Sequence, residues 1–164
     1  AAIGQSYNLF TPLQLANYIA TLVGGGEHYQ AHLLKNVKSY DNSSVIYAYD
    51  KAPLNTVEMS DSTVQAVKEG MHNLTTGSLS YYFSNCVVSA GAKTGTAETG
   101  IANTNNGVFV CFAPYDDPQI AVAVVIEKGG SGAALASTAV DIVNSYFSQE
   151  EIGAVVIGEN TLLK

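Results

Sequence analysis

One lysine stands among glycine and hydroxyl residues in the stretch SAGAKTGTAETG, residues 89–100. Lys93 offers an ammonium group, and Thr94 and Thr96 offer hydroxyls. Gly95 lets a ligand approach the main chain closely. A site that holds a carboxylate and stabilises a developing oxyanion needs a fixed cation, hydroxyl donors and a free main-chain N–H. The stretch therefore predicts an anion-binding site with parts suited to acyl transfer.

Two other kinds of site fit these residue types less well. A phosphate-binding loop needs a glycine before its lysine and a helix after it, whereas Ala92 precedes Lys93 and the surrounding residues suit a strand. A metal site needs three or four convergent ligands, and His28, His32 and His72 have no acidic or cysteine partner at ligand spacing. No nucleotide, metal or cofactor site is predicted, and the histidines are interpreted as surface residues.

Two acidic pairs and one asparagine-rich stretch are weaker candidates. DD at 116–117 occupies a predicted turn, and EE at 150–151 lies near a predicted helix end. A carboxylate pair of the kind used in glycoside hydrolysis stays open as an alternative, but solvated charge is the simpler interpretation. TNN at 104–106 predicts a turn beside the site, where it would shape substrate access.

Three predicted strands position the lysine stretch. They are NCVVSAGAKTGTA at 85–97, GVFVCFAP at 107–114 and QIAVAVVIE at 119–127, and the turn YDDP joins the last two. Their apolar runs are typical of central strands. KGGSG then predicts a flexible connection to a closing helix over residues 133–149. The apolar side of this helix is predicted to contain Leu135, Ala139, Ile142, Val143 and Tyr146.

The first half of the chain predicts two helices with a hairpin between them. Thr11 as N-cap, Pro12 at the first helical position and Gln14 as capping-box partner begin the first helix. HLLKNVKSY and SVIYAYD predict hairpin strands around the turn DNSS. SDSTVQAVKEGMHNLTTG predicts the second helix at 60–77. The buried side of that helix is predicted to contain Val64, Val67, Met71 and Leu74.

Composition limits the class of protein. The chain has 164 residues, of which 47% are hydrophobic, and this suits one globular domain. Its net charge is −7 and every basic side chain is lysine, so nucleic acid is an unsuitable partner. No apolar run reaches the length of a membrane span, so an anchor would lie outside this sequence. Cys86 and Cys111 lie in apolar runs, which favours small buried side chains over a disulfide or metal site.

The motif and its surroundings resemble one protein family. KTGTAE is similar to the third motif of the penicillin-binding proteins and serine β-lactamases, the Lys-Thr-Gly element that accompanies Ser-x-x-Lys and Ser-x-Asn. IGQ at 3–5 followed by TPLQLANYIATLVGGG resembles class B penicillin-binding transpeptidases, as do the two strands after the motif. The resemblance runs from Ile3 to Phe147. Ala92 stands where many relatives have glycine, which is a small local difference.

The resemblance implies an α/β (α+β) fold of the penicillin-binding transpeptidase and serine β-lactamase type. Helices would pack on a central antiparallel sheet of five strands, three of them in this chain. Residues 1–149 would form the C-terminal segment of a transpeptidase domain, with a helical and hairpin part at 1–80 and the sheet strands and closing helix at 84–149. Residues 150–164 would be a C-terminal tail.

The resemblance also implies roles for the lysine strand. Lys93 would electrostatically support the catalytic serines. Thr94 and Thr96 would bind the carboxylate of the donor peptide or of a β-lactam, with Gly95 completing the substrate-binding strand, and the Thr96 N–H would be one of two oxyanion-hole donors. No cofactor is implied. Peptidoglycan stem peptides and β-lactams would bind the complete domain at the extracytoplasmic face of the bacterial cell membrane.

A serine nucleophile beside a lysine is not supplied by this sequence, because no serine has a lysine three residues later. SYN at 6–8 and YDN at 40–42 fit variants of the second motif. Ser6 stands on the wrong side of IGQ and Tyr40 lies in a predicted hairpin turn, so both are interpreted as turn residues.

The expected function is that of a C-terminal fragment of a peptidoglycan D,D-transpeptidase, inactive by itself. Such a fragment would leave apolar surface and a sheet edge open, and would associate with the upstream half of the domain or with itself. A non-catalytic β-lactam-binding or structural module of the same fold is the alternative.

Overall fold

The computed structural model describes residues 8–101 and 104–153. Along them the elements are α1 (Pro12–Val23), β1 (Glu27–His28), β2 (Asn36–Lys38), β3 (Val45–Ala48), β4 (Asn55–Thr56), α2 (Asp61–Thr76), α3 (Ser80–Phe83), β5 (Gly91–Glu98), β6 (Asn105–Ala113), β7 (Ile120–Ile126), a 3-10 helix (Gly132–Leu135) and α4 (Ala136–Gly153). The helices pack on an antiparallel sheet of three strands in the order β5-β6-β7. This is the mixed α/β fold that the sequence predicted.

The two helices of the first half begin at or next to the predicted residues. In α1 the N–H of Gln14 donates to Thr11 Oγ1 at 3.2 Å, and the N–H of Thr11 donates to Gln14 Oε1 at 2.9 Å. In α2 the hydroxyl of Ser60 accepts from the N–H of Thr63 at 3.3 Å. Both helices were predictable because their start signals lie within one turn of the sequence.

The first strand of the sheet is shorter than the sequence predicted. It begins at Gly91, and residues 85–90 form no strand. Asn144 of α4 donates from Nδ2 to the carbonyl of Asn85 at 3.0 Å and accepts from the N–H of Val87 at 2.9 Å. The prediction of a strand from residue 85 was wrong because these main-chain groups bond to a helix side chain instead of a neighbouring strand.

The sheet has an apolar core on each face. On the first, which we call the α4 face, Phe109 and Cys111 pack with the 3-10 helix and α4. On the second, the α1–α2 face, Val110 and Phe112 pack with residues of α1 and α2. Neighbouring residues of β6 therefore serve different cores, because side chains alternate between the two faces of a strand.

Two helix positions that the sequence assigned to the buried side are exposed. Val67 of α2 and Ile142 of α4 each have 40% of their surface accessible. Ile142 lies beside the buried stripe of α4, next in sequence to the buried Val143. The buried stripe contains Ala136, Ala139, Val140 and Val143.

β7 ends the sheet in the described part of the chain although all seven of its residues are apolar. Ile126 at its end is 45% exposed. A cavity of about 410 Å³ opens between Ile120 of β7 and residues of α4 that include Ile142 and Tyr146. An apolar strand with an unpaired edge is a surface to which a further strand can add.

Candidate active site

Residues 93–96, which we call the KTGT segment, all lie on β5. β5 is the first strand of the sheet, so its outer edge has no strand partner among residues 8–101 and 104–153. Main-chain N–H and C=O groups on such an edge can bind an extended ligand in the manner of an added strand. The structure thus brings the four predicted site residues to one accessible strand.

Lys93 projects from the α1–α2 face of this strand. It pairs with Val110, whose side chain belongs to the core on that face. The lysine side chain is exposed, and its Nζ donates to the carbonyl oxygen of Thr94 at 2.8 Å. The ammonium is therefore close to the main chain of the strand and open to solvent.

The two threonine side chains project from the opposite, α4 face. Thr94 pairs with Phe109 and Thr96 pairs with Gly107, and Phe109 belongs to the core on the α4 face. Because residues two apart on a strand share a face, the two hydroxyls lie side by side. The strand thus presents one cation on one face and two hydroxyl groups on the other.

Gly132 contacts the KTGT segment from the connection between β7 and α4. Its N–H donates to Thr96 Oγ1 at 3.3 Å. A Cβ at position 132 would overlap the carbonyl oxygens of Gly95 and Val108 and would lie 2.9 Å from the Gly95 nitrogen. Sequence reasoning missed this residue, although a glycine cluster directly after a strand is a signal for close main-chain approach.

The KGGSG stretch is held in place, contrary to the flexible connection that the sequence predicted. The N–H of Lys128 donates to Asn106 Oδ1 at 2.9 Å, and the N–H of Gly130 donates to the carbonyl of Asn105 at 2.9 Å. The glycines of this stretch allow close packing, and Gly130 has a positive φ of 75°, which glycine adopts without strain. The predicted turn at 104–106 was also wrong, because Asn105 and Asn106 begin β6 and pair with β5.

The start of β5 is tied to α2 by two side chains. Nδ1 of His72 donates to the carbonyl of Ala90 at 2.9 Å, and Thr75 Oγ1 contacts the same oxygen at 2.7 Å. The His72 ring stacks on Tyr115 with 4.3 Å between the ring centroids. The surface interpretation was therefore wrong for His72, which is half-buried, and sequence reasoning missed Thr75.

A cavity of about 300 Å³ opens beside this junction. None of the residues of the KTGT segment lines it, so it is separate from the predicted anion site. Its lining consists of His72, Thr75, Thr76, Ser80, Phe83, Ser84, Val88, Ser89 and Ala90.

The other two histidines lie between α1 and β2. His28 lies in β1, and His32 stacks on Tyr49 with 3.4 Å between the ring centroids. The residues that the structure describes contain no group of three histidine, cysteine or acidic side chains that could hold a metal ion.

The YDN candidate for the second motif is the turn of the β2–β3 hairpin. The strands pair as the sequence predicted, and Tyr40 is 97% exposed. Asn42 has a φ of 57°, which suits a tight turn. Hydrogen bonds from the Ser39 and Ser43 hydroxyls lower the pKa of Asp41 to about 2. Ser6, in the SYN candidate, lies outside the described residues.

Neither cysteine is an activated nucleophile. Cys86 and Cys111 are free thiols, and Cys111 is completely buried. Burial raises the pKa of Cys111 to about 12, with a smaller contribution from Cys86, whose own pKa burial also raises. A thiol needs its thiolate form to react, so these two groups are chemically quiet near neutral pH.

The first acidic pair lies where solvated charge is expected. Asp116 and Asp117 are exposed in the turn between β6 and β7. Glu150 and Glu151 lie in the last turns of α4, which continues to Gly153. The carboxylates of the first pair are adjacent in a single turn, so they do not face each other across a cleft as glycosidase carboxylates do.

Comparison with known proteins places this architecture in a family. The sequence model of the penicillin-binding protein transpeptidase domain matches residues 1–146. The chain therefore belongs to the penicillin-binding transpeptidase family, and its relatives identify it as a class B transpeptidase region.

Three relatives illustrate the similarity. Penicillin-binding protein 2A of Bacillus subtilis (strain 168) is 31% identical over 178 aligned positions, which cover 99% of this chain. The structure of penicillin-binding protein 2B from Streptococcus pneumoniae (strain R6) matches 92% of the chain with a TM-score of 0.74 and 28% identity. The imipenem acyl-enzyme complex of penicillin-binding protein A from M. tuberculosis matches 89% with a TM-score of 0.72 and 26% identity.

The matched region is a minor part of each relative. The chain spans 23% of the B. subtilis protein, 26% of the S. pneumoniae structure and 33% of the M. tuberculosis structure. Among the described helices, none is both long enough and apolar enough to cross a membrane.

Proposed function

We propose that this chain is the C-terminal part of a peptidoglycan D,D-transpeptidase domain, in which a serine carries the acyl group during cross-linking of stem peptides. The KTGT segment on an accessible strand carries this proposal, because it presents the Thr94 and Thr96 hydroxyls on one face and the Lys93 ammonium on the other. The family match over residues 1–146 supports it.

Each residue of the segment has a role in this proposal. Lys93 electrostatically supports the catalytic serines, and a ligand can replace the main-chain carbonyl of Thr94 to which its ammonium donates. Thr94 and Thr96 donate hydroxyl hydrogen bonds to the carboxylate of the donor peptide or of a β-lactam. Gly95 keeps the strand open to the ligand main chain, and the Thr96 N–H donates to the oxyanion.

The reaction proceeds in two acyl transfers. The serine oxygen attacks the carbonyl carbon of the penultimate D-alanine, and the bond to the terminal D-alanine breaks as its amine takes a proton. The amine of a second stem peptide then attacks the acyl-serine ester, which forms the cross-link and frees the serine. No serine of this chain has a lysine three residues later, so a preceding segment of the domain supplies the nucleophile.

The proposal also specifies partners and location. Residues 1–149 form the C-terminal segment of the domain and 150–164 its tail, with stem peptides and β-lactams as ligands. The apolar β7, whose outer edge has no strand partner among the residues that the structure describes, supports association with a strand of the upstream half or with a second copy. The protein works at the extracytoplasmic face of the bacterial cell membrane through an anchor in another part of the protein.

A non-catalytic β-lactam-binding or structural module is the second candidate function. The absence of Ser-x-x-Lys from the sequence favours it. Charge-assisted hydrogen bonds from the KTGT segment contribute about 1.5–3 kcal/mol each before binding entropy is subtracted, so a lone segment binds a carboxylate more weakly than millimolar.

Intact-mass measurement after incubation with benzylpenicillin tests the proposal. The chain is incubated alone and then mixed with an upstream transpeptidase segment that carries Ser-x-x-Lys; we call this mixture the assembled domain. We expect no adduct on the chain alone and a stoichiometric adduct on the upstream segment in the mixture. An adduct on this chain would reveal a nucleophile within it, and no adduct in either sample would favour the non-catalytic module.

A further inference from the structure

Gly132 makes the one hydrogen bond that the Thr96 hydroxyl forms within the described residues. We propose that Gly132 is a positioning residue, whose N–H holds Thr96 Oγ1 so that the hydroxyl proton points to a bound carboxylate. This inference rests on the proposed function, because it assigns Thr96 a carboxylate ligand.

The chemistry follows from what a hydroxyl can donate and accept. A threonine hydroxyl has one proton to donate and two lone pairs that accept. The Gly132 N–H can only donate, so Thr96 Oγ1 is the acceptor in this contact at 3.3 Å. The proton of Thr96 is not used by Gly132 and stays available to an anion. A hydroxyl held in this way need not reorient when the ligand binds.

The position requires glycine because the main chain is too close for a side chain. Gly132 is buried, and a Cβ there would overlap the carbonyl oxygens of Gly95 and Val108. Any larger residue must push the connection away from β5, which lengthens the contact with Thr96. Gly132 is therefore matched to the KTGT segment by shape as well as by its N–H.

The connection has little freedom to move aside. On its N-terminal side, Lys128 and Gly130 donate main-chain hydrogen bonds to Asn106 Oδ1 and the Asn105 carbonyl at 2.9 Å each. On its C-terminal side, Leu135 is buried, with 4% of its surface exposed. Leu135 packs against Gly107 of β6, where an added Cβ would lie 3.3 Å from the leucine Cδ1. These contacts fix the Gly132 N–H relative to the end of β5.

The two hydroxyls of the segment differ in this respect. Thr94 shares the α4 face with Thr96, but within residues 8–101 and 104–153 no main-chain N–H donates to the Thr94 hydroxyl. Thr96 is thus the hydroxyl whose direction is set before a ligand arrives, and Gly132 is the group that sets it.

The test measures binding of a carboxylate by the chain itself. The chain labelled with ¹⁵N is titrated with N-acetyl-D-alanine, and the amide shifts of residues 94–96 are followed. N-acetyl-D-alanine amide, which lacks the carboxylate, is titrated in parallel. Two altered chains are compared with the unaltered one: Gly132→Ala, and a chain in which glycolate replaces Gly132 so that an ester oxygen replaces its N–H.

We expect the dissociation constant of N-acetyl-D-alanine to rise about tenfold in both altered chains, since a hydrogen bond to a charged group is weakened. The weak binding of the amide should change less, because its neutral carbonyl accepts a weaker hydrogen bond from the hydroxyl than a carboxylate does. A purely structural role would weaken both probes equally. Gly70→Ala is the matched control, since a Cβ there meets no atom within 4 Å.

The glycolate chain separates positioning from loss of folding. It adds no Cβ at position 132, so it stays informative where Gly132→Ala unfolds the connection. Equal carboxylate affinity of the glycolate chain and the unaltered chain would overturn the inference and leave the proposed function intact. Absence of any carboxylate-dependent shift in the unaltered chain would also overturn the inference, whereas the proposed function is tested separately by acylation of the assembled domain.

Discussion

The Lys93 ammonium donates to the carbonyl oxygen of Thr94 at 2.8 Å, although the two side chains leave opposite faces of β5. The lysine therefore folds back along its own strand. Because the side chain is exposed, this contact contributes little to stability and can be exchanged for a ligand. The relationship places an exposed cation and two hydroxyls around one strand.

The first prediction concerns the charge of Lys93. In the assembled domain, Lys93→Met should lower the second-order rate of acylation by benzylpenicillin by at least about a hundredfold, because one electrostatic contact to the reacting groups is lost. The free energy of unfolding should stay within about 0.5 kcal/mol, because the side chain is exposed. Lys38→Met, at an exposed position of β2, is the control and should leave the acylation rate unchanged.

A second prediction separates carboxylate binding from the rest of the site. Thr94→Val and Thr96→Val keep side-chain shape and remove the hydroxyl. Each should slow acylation by benzylpenicillin about tenfold in the assembled domain, because a hydrogen bond to a charged group is lost. Acylation by the methyl ester of benzylpenicillin, which lacks the carboxylate, should not change. Equal slowing with acid and ester would show that the hydroxyls do not bind the carboxylate.

A third prediction concerns the start of β5. A Cβ on Gly91 would lie 2.5 Å from Cε1 and 2.6 Å from Cζ of Phe112, which is completely buried. Gly91→Ala should lower the free energy of unfolding by about 1–3 kcal/mol, because the core on the α1–α2 face becomes overpacked. Urea unfolding measures the loss, and adding Phe112→Leu should recover part of it. An additive double variant would rule out this contact as the cause.

The fourth prediction concerns pH. Burial raises the pKa of Cys111 from 9.0 to about 12, so the unfolded chain loses this thiol proton at a lower pH than the folded chain. The contribution of Cys111 to stability is full below pH 9 and is lost as pH rises towards 12. Urea midpoints across this range should fall more steeply for the unaltered chain than for Cys111→Ala. Parallel curves would contradict the assignment.

A fifth prediction concerns the unpaired edge of β7. The isolated chain should self-associate and bind a hydrophobic dye, because the outer edge of the apolar β7 has no strand partner in the described part of the chain. Ile126→Lys, which places a charge where the side chain is 45% exposed, should shift the population towards monomer in sedimentation velocity. Val45→Lys on the exposed hairpin is the control. A monodisperse monomer that binds no dye would count against this surface.

Local signals in the sequence predicted much of the fold. The predicted cap Thr11 begins α1 where expected, since a cap acts within one turn. The residues after position 84 were assigned to a strand because their apolar and β-branched types suit one. Their main chain bonds instead to Asn144, which is 59 residues beyond Asn85. A contact over such a separation leaves no local trace.

The sequence by itself determined the KTGT segment, the strand that carries it and the family to which the chain belongs. The tertiary structure decided which groups act together. It placed Gly132 against Thr96 across 36 residues, and turned Ile142 outward at the edge of the α4 stripe. The physical reason is range: caps and strand alternation depend on neighbours along the chain, whereas close main-chain approach and burial depend on how distant elements pack.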